Sequence, residues 1–321
     1  MSSTTPTAAG AEIERGALED GRGAKPRLSE RTRAERKLGW MLCAPAVVVM
    51  LAVTAYPILY AIWLSLHRSD LRFPDRTAWV GLDNYITVLS SNLWWKDLGH
   101  TMVLTVLSVA VELVLGMLLA LAMHRAIMGR GLIRTSALVP YGIVTVVAAF
   151  AWRLAFSKAD GGFVPAVLNL QDDPLITTWS TYLTAILAEV WKTTPFMALL
   201  LLSGLALVPD DLHEAAKVDG ASTWQRFWKI TIPLMKPAIL VALLFRTLDA
   251  FRIFDTVQVL SNGSNRAIET VSQLSYNTLL IRLNLGLGSA VSVLVFVCVL
   301  LIAFLYVKFL GANLAQQRGE R

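Results

Sequence analysis

Long apolar stretches recur along this chain, and they constrain its fold more than any other feature. Residues 40–66 and 285–307 form stretches of 27 and 23 residues without an acidic or basic side chain. A helix of about 20 apolar residues crosses a bilayer, so each stretch is long enough to span one. Four further, mostly apolar stretches lie between them, at 98–123, 135–152, 177–208 and 237–260. The sequence therefore predicts an all-α membrane protein with six transmembrane helices.

Composition agrees with a membrane protein and argues against other classes. Hydrophobic residues make up 55% of the chain and charged residues only 16%, and the mean hydropathy of +0.56 exceeds that of soluble domains. The two cysteines, Cys43 and Cys298, both lie in apolar stretches, which argues against a disulfide framework and a thiolate metal site. The sequence contains no GxxxxGK(S/T) phosphate-binding loop, so we do not expect an enzyme that hydrolyses ATP.

A polar interruption of about thirty residues, at 209–237, separates the fourth and fifth stretches. Asp211 with Glu214 fits a capping box, in which side chains satisfy free backbone N–H groups at a helix start. Gly220 follows where that helix should end, because glycine accepts a left-handed backbone at little cost. The interruption is therefore predicted to hold two short helices joined by a glycine.

The second of these short helices carries an aromatic face. Ser222 with Gln225 fits another capping box, and Trp224, Phe227 and Trp228 follow at the helical spacing i, i+3 and i+4. Helices this short are marginal alone in water and need a surface to pack against. The aromatic face therefore indicates a docking site for a protein partner. The alternative is an ordinary loop whose helices lie on the membrane surface.

The sequence of this interruption resembles the EAA loop of ABC-importer permeases. Glu-Ala-Ala at 214–216 is followed by Gly220 and, after nine further residues, by Ile-Thr-Ile-Pro at 230–233. The family pattern has leucine where this chain has Ile232. In that family the loop is a coupling helix that fits a groove on a cytoplasmic ATPase subunit. The resemblance implies that coupling to the ATPase falls to Glu214, Ala215, Ala216, Asp219, Gly220 and Trp224.

The distribution of basic residues orients the predicted helices. If both tails, the connection between the second and third spans and the EAA loop share one side, that side holds 18 lysines and arginines against 7 on the other. Loops rich in these residues face the cytoplasm, so both termini are predicted to be cytoplasmic. The resemblance to ABC importers implies that the membrane is a bacterial cell (inner) membrane. The predicted organisation is a basic tail at 1–39, a transmembrane permease domain at 40–310 and a tail at 311–321.

Charged residues inside the predicted spans indicate where a polar path could lie. A charge at the bilayer centre costs about 2.5–3.5 kcal/mol on insertion scales, so it should face protein or water. Glu189 and Lys192 are three residues apart on the fourth span and can pair on one face. With Arg246 on the fifth span they predict a polar cavity. Glu112 stands alone on the second span and is interpreted as structural, either neutral or paired with Arg153 or Arg246.

Two further patterns leave alternatives open. The fifth span carries four charges at intervals of three and with alternating sign, at Arg246, Asp249, Arg252 and Asp255. They form either a self-neutralising ladder that packs the helix or part of a cavity lining. Tyr141 and Thr145 are predicted to share one face of the third span, beside the irregular Pro140–Gly142. Core packing and a cavity wall are both compatible with that position.

The resemblance extends over roughly residues 40–310. Tyr56-Pro57, Ser65-Leu66, Pro140-Tyr141 and the run FRIFDTVQVLSNG at 251–263 are similar to the sugar-importer branch, especially its maltose-permease-like and trehalose-import subunits. In the maltose relative, three helices hold the sugar in mid-membrane. The matching positions imply that the substrate-binding residues are Tyr141, Thr145, Glu189, Lys192, Thr193, Arg246, Ala250 and Ile253.

This chain departs from the maltose pattern within the implied site. The maltose relative has small polar amides where this chain has Glu189, Ala250 and Ile253. The large external domain of one maltose relative also has no counterpart, since the first external loop, 67–97, holds only about thirty residues. The resemblance therefore implies a disaccharide or oligosaccharide, with trehalose as one candidate, and does not identify the sugar.

The function implied by the resemblance is ATP-driven import, in which this chain performs no covalent chemistry. The implied partners are a second homologous permease, a dimer of ATP-binding cassette ATPases, an extracytoplasmic solute-binding (lipo)protein, the sugar and membrane lipid, with no nucleic acid. We expect no cofactor on this chain, and ATP and magnesium on the ATPase. ATP binding would move the coupling helices and switch the spans between two packings.

Two other function classes compete with this interpretation. A secondary transporter driven by an ion gradient would use Glu112 or Asp249 as a proton site, with internal repeats and helices broken at corresponding positions. No such pair is visible in the sequence, and this class leaves the EAA spacing unexplained. A membrane scaffold would use the two short helices to recruit a cytoplasmic protein without transporting a solute.

Overall fold

The computed structural model describes residues 30–125, 130–261 and 268–317. The predicted N-terminal tail lies outside the described residues as far as position 29, and so do the last four residues of the predicted C-terminal tail. Packing divides the chain into two units, residues 1–59 and 60–321, which are treated separately. In the first unit, the described residues all belong to one helix.

The described residues are mainly helical. The helices are, in chain order, α1 Glu30–Ser65, α2 Asp83–Ser90, α3 Asn92–Arg125, α4 Arg130–Gly142, α5 Thr145–Phe156, α6 Phe163–Val167, α7 Thr178–Leu205, α8 Asp210–Val218, α9 Thr223–Arg226, α10 Ile232–Phe251, α11 Asp255–Leu260, α12 Val271–Tyr276 and α13 Leu285–Gln317. One short antiparallel ladder pairs β1, His67–Arg68, with β2, Ala78–Trp79.

Five helices in the described ranges are long and apolar enough to cross a membrane. They are α1, α3, α7, α13 and the segment Thr223–Leu260, which contains α10. The bent pair of α4 and α5 makes a sixth span if the two helices cross together. The prediction of an all-helical membrane fold is therefore confirmed, with five spans or six according to how the bent pair is counted.

The third predicted span is broken in two. α4 ends at Gly142 and α5 begins at Thr145, with a bend of 90° between them. Pro140 has no N–H to donate, and Val144 has an extended backbone with φ −57° and ψ 132°, so helical hydrogen bonding stops here. The predicted irregularity is confirmed. The expectation that Tyr141 and Thr145 share one helical face is wrong, because the bend lies between them.

The fifth predicted span is shifted along the chain. α9 continues through a π-helical turn, Phe227–Thr231, into α10, so the helical path starts well before the predicted Pro237. Pro233 lies in the first turn of α10, where a helix does not need its missing N–H. α10 stops at Phe251, one residue before Arg252. The predicted row of alternating charges therefore does not continue along one helix.

The predicted external loop at 67–97 and the connection before α13 both contain secondary structure. The first, at 67–97, holds β1, β2, α2 and the start of α3. α12 begins with a capping box, in which the Thr270 hydroxyl accepts from the Gln273 N–H and the Gln273 amide oxygen accepts from the Thr270 N–H. This Thr-x-x-Gln pattern is a helix-start signal that the sequence already contained.

The core of the second unit forms where α3 packs against α7. Met197 and Leu201 of α7 are fully buried there. Gly116 of α3 permits the close approach, because a Cβ atom at this position would lie 2.7 Å from Met197 Cγ. Gly204 plays the same role toward α10, since its Cβ would lie 2.3 Å from the Cβ of Ala238. Two glycines thus set the spacing of three helices.

Candidate functional site

Four charged side chains from three helices meet in the core of the second unit. Arg246 of α10 donates from Nε and Nη2 to the carboxylate of Glu112 on α3, with 2.9 Å between Nη2 and Oε1. Nη2 also donates to Oε2 of Glu189 on α7 at 3.1 Å, and Nη1 donates to Oδ2 of Asp249 at 2.7 Å. These four residues are the ionic cluster.

Two threonine hydroxyls add hydrogen bonds to the ionic cluster. Thr256 of α11 donates to Glu189 Oε1 at 2.5 Å. Thr193 lies 2.8 Å from Glu112 Oε1 and 2.6 Å from the carbonyl oxygen of Glu189, so its single proton serves both acceptors. The network therefore ties α3, α7, α10 and α11 together.

Burial differs sharply across the ionic cluster. The relative exposure is 0% for the Glu112 side chain and 1% for Arg246, whereas the Asp249 side chain is 66% exposed. Taking charges out of water is costly, and their attraction offsets that cost only where hydrogen bonds are well formed. Removing Arg246, the common partner, would leave Glu112 and Glu189 charged and without an ionic partner. The inner three residues therefore act as a unit, with Asp249 at its exposed edge.

A second group of residues presents an exposed aromatic surface. The Tyr141 ring stacks on Phe196 of α7, with 5.2 Å between the ring centroids and 10° between the planes. The Lys192 ammonium lies 5.7 Å from the centroid of the Tyr141 ring, in a cation–π arrangement. Tyr141 is 43% exposed. Tyr141 and Lys192 are the aromatic pair.

A cavity of about 910 Å³ lies beside the polar interruption at 209–237. Trp224, Phe227 and Trp228 line it, with 5.3 to 6.1 Å between their ring centroids. The rest of its lining is mostly apolar and comes from α3, the end of α7, the short helices α8 and α9, and the start of α10. None of the predicted substrate-binding residues lines this cavity, so it is distinct from the ionic cluster.

The polar interruption folds into two short helices, as its sequence predicts. α8 and α9 are joined at Gly220, whose φ of +80° suits glycine. The second predicted capping box, Ser222 with Gln225, is confirmed. The first is wrong: α8 begins directly after Pro209, and no side chain caps it. Asp211 lies instead in the first turn, where a negative charge favours the helix dipole.

The residues predicted to couple this chain to an ATPase lie mainly on the surface. Five of the six are exposed, and one is half-buried; the exposed ones are Glu214, Ala215, Asp219, Gly220 and Trp224, and the half-buried one is Ala216. Across the described ranges, no group of three or more His, Cys, Asp or Glu side chains is arranged to hold a metal ion.

Comparison with known proteins decides the family. Residues 112–316 match the family described as "Binding-protein-dependent transport system inner membrane component", and this match covers more than half of the chain. The chain belongs to this family. The permease is 54% identical over 279 residues to the trehalose transport system permease protein SugA of Mycobacterium tuberculosis, covering 87% of this chain and 90% of that protein.

One further relative and one solved structure are also similar to this chain. The permease is 40% identical over 278 residues to the trehalose/maltose transport system permease protein MalF of Thermococcus litoralis, covering 85% of this chain and 94% of that protein. Its fold matches a chain from a bacterial ABC transporter involved in the import of the acidic polysaccharide alginate. That match has a TM-score of 0.70 at 22% identity and covers 88% and 99% of the two chains. The fold is that of the ABC-importer permeases.

The structure distributes the predicted substrate-binding residues of the permease over four places. Glu189, Thr193 and Arg246 lie in the ionic cluster and its hydrogen bonds; Tyr141 and Lys192 form the aromatic pair; Ala250 and Ile253 pack in apolar clusters, and Thr145 begins α5. The sequence therefore identified the helices that meet here, but not which side chains are accessible.

Two contacts in the site test the sequence predictions, and only one of them was predicted correctly. The predicted Glu189–Lys192 pair does not form, because Arg246 and Thr256 occupy the two oxygens of Glu189 and Lys192 lies over Tyr141 instead. Glu112 pairs with Arg246, one of the two partners considered for it. Sequence reasoning missed Thr256, since no local spacing connects residues 67 positions apart.

Proposed function

We propose that this permease is one of two membrane subunits of an ATP-driven importer for a disaccharide, with trehalose as the first substrate to test. The observation that carries the proposal is the 54% identity, over 87% of the chain, with a trehalose transport system permease protein. The relative at 40% identity takes its name from trehalose and maltose, both uncharged disaccharides. The proposed partners are a second homologous permease, an ATPase dimer and an extracytoplasmic binding protein that delivers the sugar.

The exposed face of α8 and α9 is the proposed docking site for the ATPase. Helices of nine and four residues are marginal alone, so an external surface would stabilise them. α9 runs through the π-helical turn into α10, which carries Arg246 and Asp249. ATP and magnesium on the ATPase would thus act on the sugar path through one continuous helical segment, and a shift at Gly220 would reach the ionic cluster.

The proposed sugar path passes the aromatic pair and the exposed edge of the ionic cluster. Sugars combine hydroxyl groups with weakly apolar ring faces, so their sites need polar groups beside an aromatic wall. Tyr141 offers a ring and a hydroxyl, and Lys192 offers a donor. Glu189 and Thr193 fix this part of α7 in place through their hydrogen bonds to Thr256 and Glu112. Thr145 of α5, Ala250 of α10 and Ile253, which follows the end of α10, would complete this wall.

Reconstitution tests the proposal directly. Both permeases and the ATPase are purified as one complex and placed in liposomes, with binding protein on the extracytoplasmic side and ATP on the ATPase side. Radiolabelled trehalose should accumulate only when ATP, magnesium and binding protein are all present, and chelation of magnesium should abolish the uptake. Maltose is the second substrate in the same assay.

Other outcomes would support the competing functions. Uptake that requires a proton gradient and ignores ATP would contradict the proposal and favour a secondary transporter. A complex that binds a cytoplasmic protein through α8 and α9, yet moves neither sugar under any condition, would favour a scaffold.

A further inference from the structure

We infer that Asp249 is the member of the ionic cluster that contacts the sugar, and that the excess of carboxylates in this cluster makes the permease select uncharged over anionic sugars. The inference rests on the proposed function and adds to it a specificity-determining residue and the charge of the substrate. The fold alone leaves that charge open, because a transporter of an acidic polysaccharide has the same fold.

Arg246 is not available to bind a sugar. All three of its nitrogens donate to carboxylates of the ionic cluster, and its side chain is only 1% exposed. A sugar hydroxyl could reach the guanidinium only by displacing a carboxylate, which would then be buried without its partner. Arg246 is therefore a positioning residue, whose task is to hold three acidic side chains in place.

Asp249 presents an oriented acceptor at the edge of the same cluster. Its Oδ2 is held by Arg246 Nη1 at 2.7 Å, while the side chain remains 66% exposed. Its Oδ1 has no hydrogen-bond partner within the described part of the chain. Hydrogen bonds from a neutral donor to an ionised acceptor are among the stronger ones in proteins. A carboxylate fixed through one oxygen and open at the other suits a sugar hydroxyl.

The ionic cluster has more negative than positive charge. It contains three carboxylates and one guanidinium, a formal charge of −2. Lys192 makes no ion pair with any described residue, and its single charge would not balance the cluster. Like charges repel more strongly where water is scarce, and fixed charges beside a path discriminate among ions that pass. An uncharged sugar meets an acceptor at Asp249, whereas a phosphorylated or uronic sugar meets repulsion.

The test measures sugar binding to the complete purified transporter without its binding protein, so that only the membrane subunits discriminate. The probes are trehalose and trehalose 6-phosphate, titrated by saturation-transfer NMR. We expect the wild type to bind trehalose at least about tenfold more tightly, because the net negative charge of the ionic cluster repels the phosphate group. Asp249→Asn should reduce this ratio to about threefold or less by improving phosphate binding. Asp249→Glu should preserve it.

Asp75→Asn is the matched control, since it removes an exposed carboxylate outside the ionic cluster and should leave the ratio unchanged. A wild-type ratio below about twofold, or an unchanged ratio in Asp249→Asn, overturns the inference. Trehalose binding and uptake would then still support the proposed function. If the wild type neither binds nor takes up trehalose, the proposed substrate is contradicted instead. The charge of the site is then decided by the thiol-modification measurement that follows.

The charge of the site can also be measured without a sugar. In a background with Cys43→Ala and Cys298→Ala, the Asp249→Cys thiol is modified by cationic and anionic methanethiosulfonate reagents. Compared with an Asp75→Cys thiol, the rates should favour the cation by at least about tenfold, and Glu189→Gln should reduce this preference. Equal preferences at the two positions overturn the inference, whichever sugar the permease carries.

Discussion

At the scale of single residues, a variant at the buried contact between Arg246 and Glu112 tests whether this contact stabilises the fold or serves transport. Arg246→Met should destabilise the complex by about 3–5 kcal/mol, because it leaves Glu112 and Glu189 charged, buried and unpaired. The melting temperature of the purified complex measures this loss. The double variant Arg246→Met with Glu112→Gln should recover part of it, since one unpaired charge is removed.

Lys192 provides the contrast to this prediction. It lies over the exposed Tyr141 ring and makes no ion pair within the described ranges, so Lys192→Ala should leave the melting temperature unchanged while lowering uptake. An Arg246→Met complex as stable as the wild type would contradict the structural role of the ionic cluster.

Asp70 supports a pH prediction outside the membrane spans. The Arg72 side chain donates to both oxygens of its carboxylate, at 2.9 and 2.5 Å, which lowers the pKa of Asp70 to about 2. The stabilisation is therefore present above the unfolded value of about 3.9 and is lost as the pH falls through about 2. Carbon NMR of labelled aspartate should show this midpoint, and Arg72→Ala should raise it toward 3.9. A wild-type midpoint near 3.9 would contradict the pairing.

At the scale of elements, the packing of α3 on α7 depends on a missing side chain. A Cβ at Gly116 would lie 2.7 Å from Met197 Cγ, so Gly116→Leu should force the helices apart at a cost of about 1–3 kcal/mol. Gly99 on the same helix has no such neighbour within 4 Å, which makes Gly99→Leu the matched control. Thermal unfolding of both variants checks the prediction, and equal losses would contradict it.

The joint between α8 and α9 is the second element-scale prediction. Gly220 has a φ of +80°, which a β-branched residue adopts only under strain. Gly220→Val should therefore weaken co-purification of the ATPase and lower sugar-stimulated ATP hydrolysis, while the membrane spans still fold. Ala221→Val, one residue later at a position without positive φ, is the control. Full activity of Gly220→Val would argue against a coupling role for this joint.

At the scale of the whole molecule, the sequence predicted what depends on local composition and length. The apolar stretches predicted the spans, and Gly220 with the Ser222–Gln225 box predicted the two short helices. The angle of 90° after Gly142 could not be predicted from the sequence, because proline and glycine permit a break in the helix while tertiary packing sets its direction. The contact of Glu189 with Thr256 could not be predicted either, because it joins two helices that are far apart in sequence.

Orientation in the membrane is the last property at this scale, and it depends on the bent pair of α4 and α5. If the pair crosses, the spans number six and both termini share a side; if it re-enters, they number five and the termini lie on opposite sides. The 18-to-7 distribution of basic residues favours six, with cytoplasmic termini. Only that count also puts residue 222 on the same side as both termini, where an ATPase could reach α8 and α9.

Reporter fusions distinguish these two arrangements. A fluorescent protein attached after Arg321, or inserted at residue 222, should fold and fluoresce in the cytoplasm, and alkaline phosphatase at residue 160 should be active outside. With a re-entrant pair, the phosphatase at 160 would be inactive. The reporters at 222 and after Arg321 would both lie on the side of the membrane opposite the N-terminus. Because α7 crosses between 160 and 222 in either arrangement, these two positions must always differ, which provides an internal control. Cytoplasmic labelling at 160 would therefore contradict six spans and, with them, the proposed contact between the polar interruption and an ATPase.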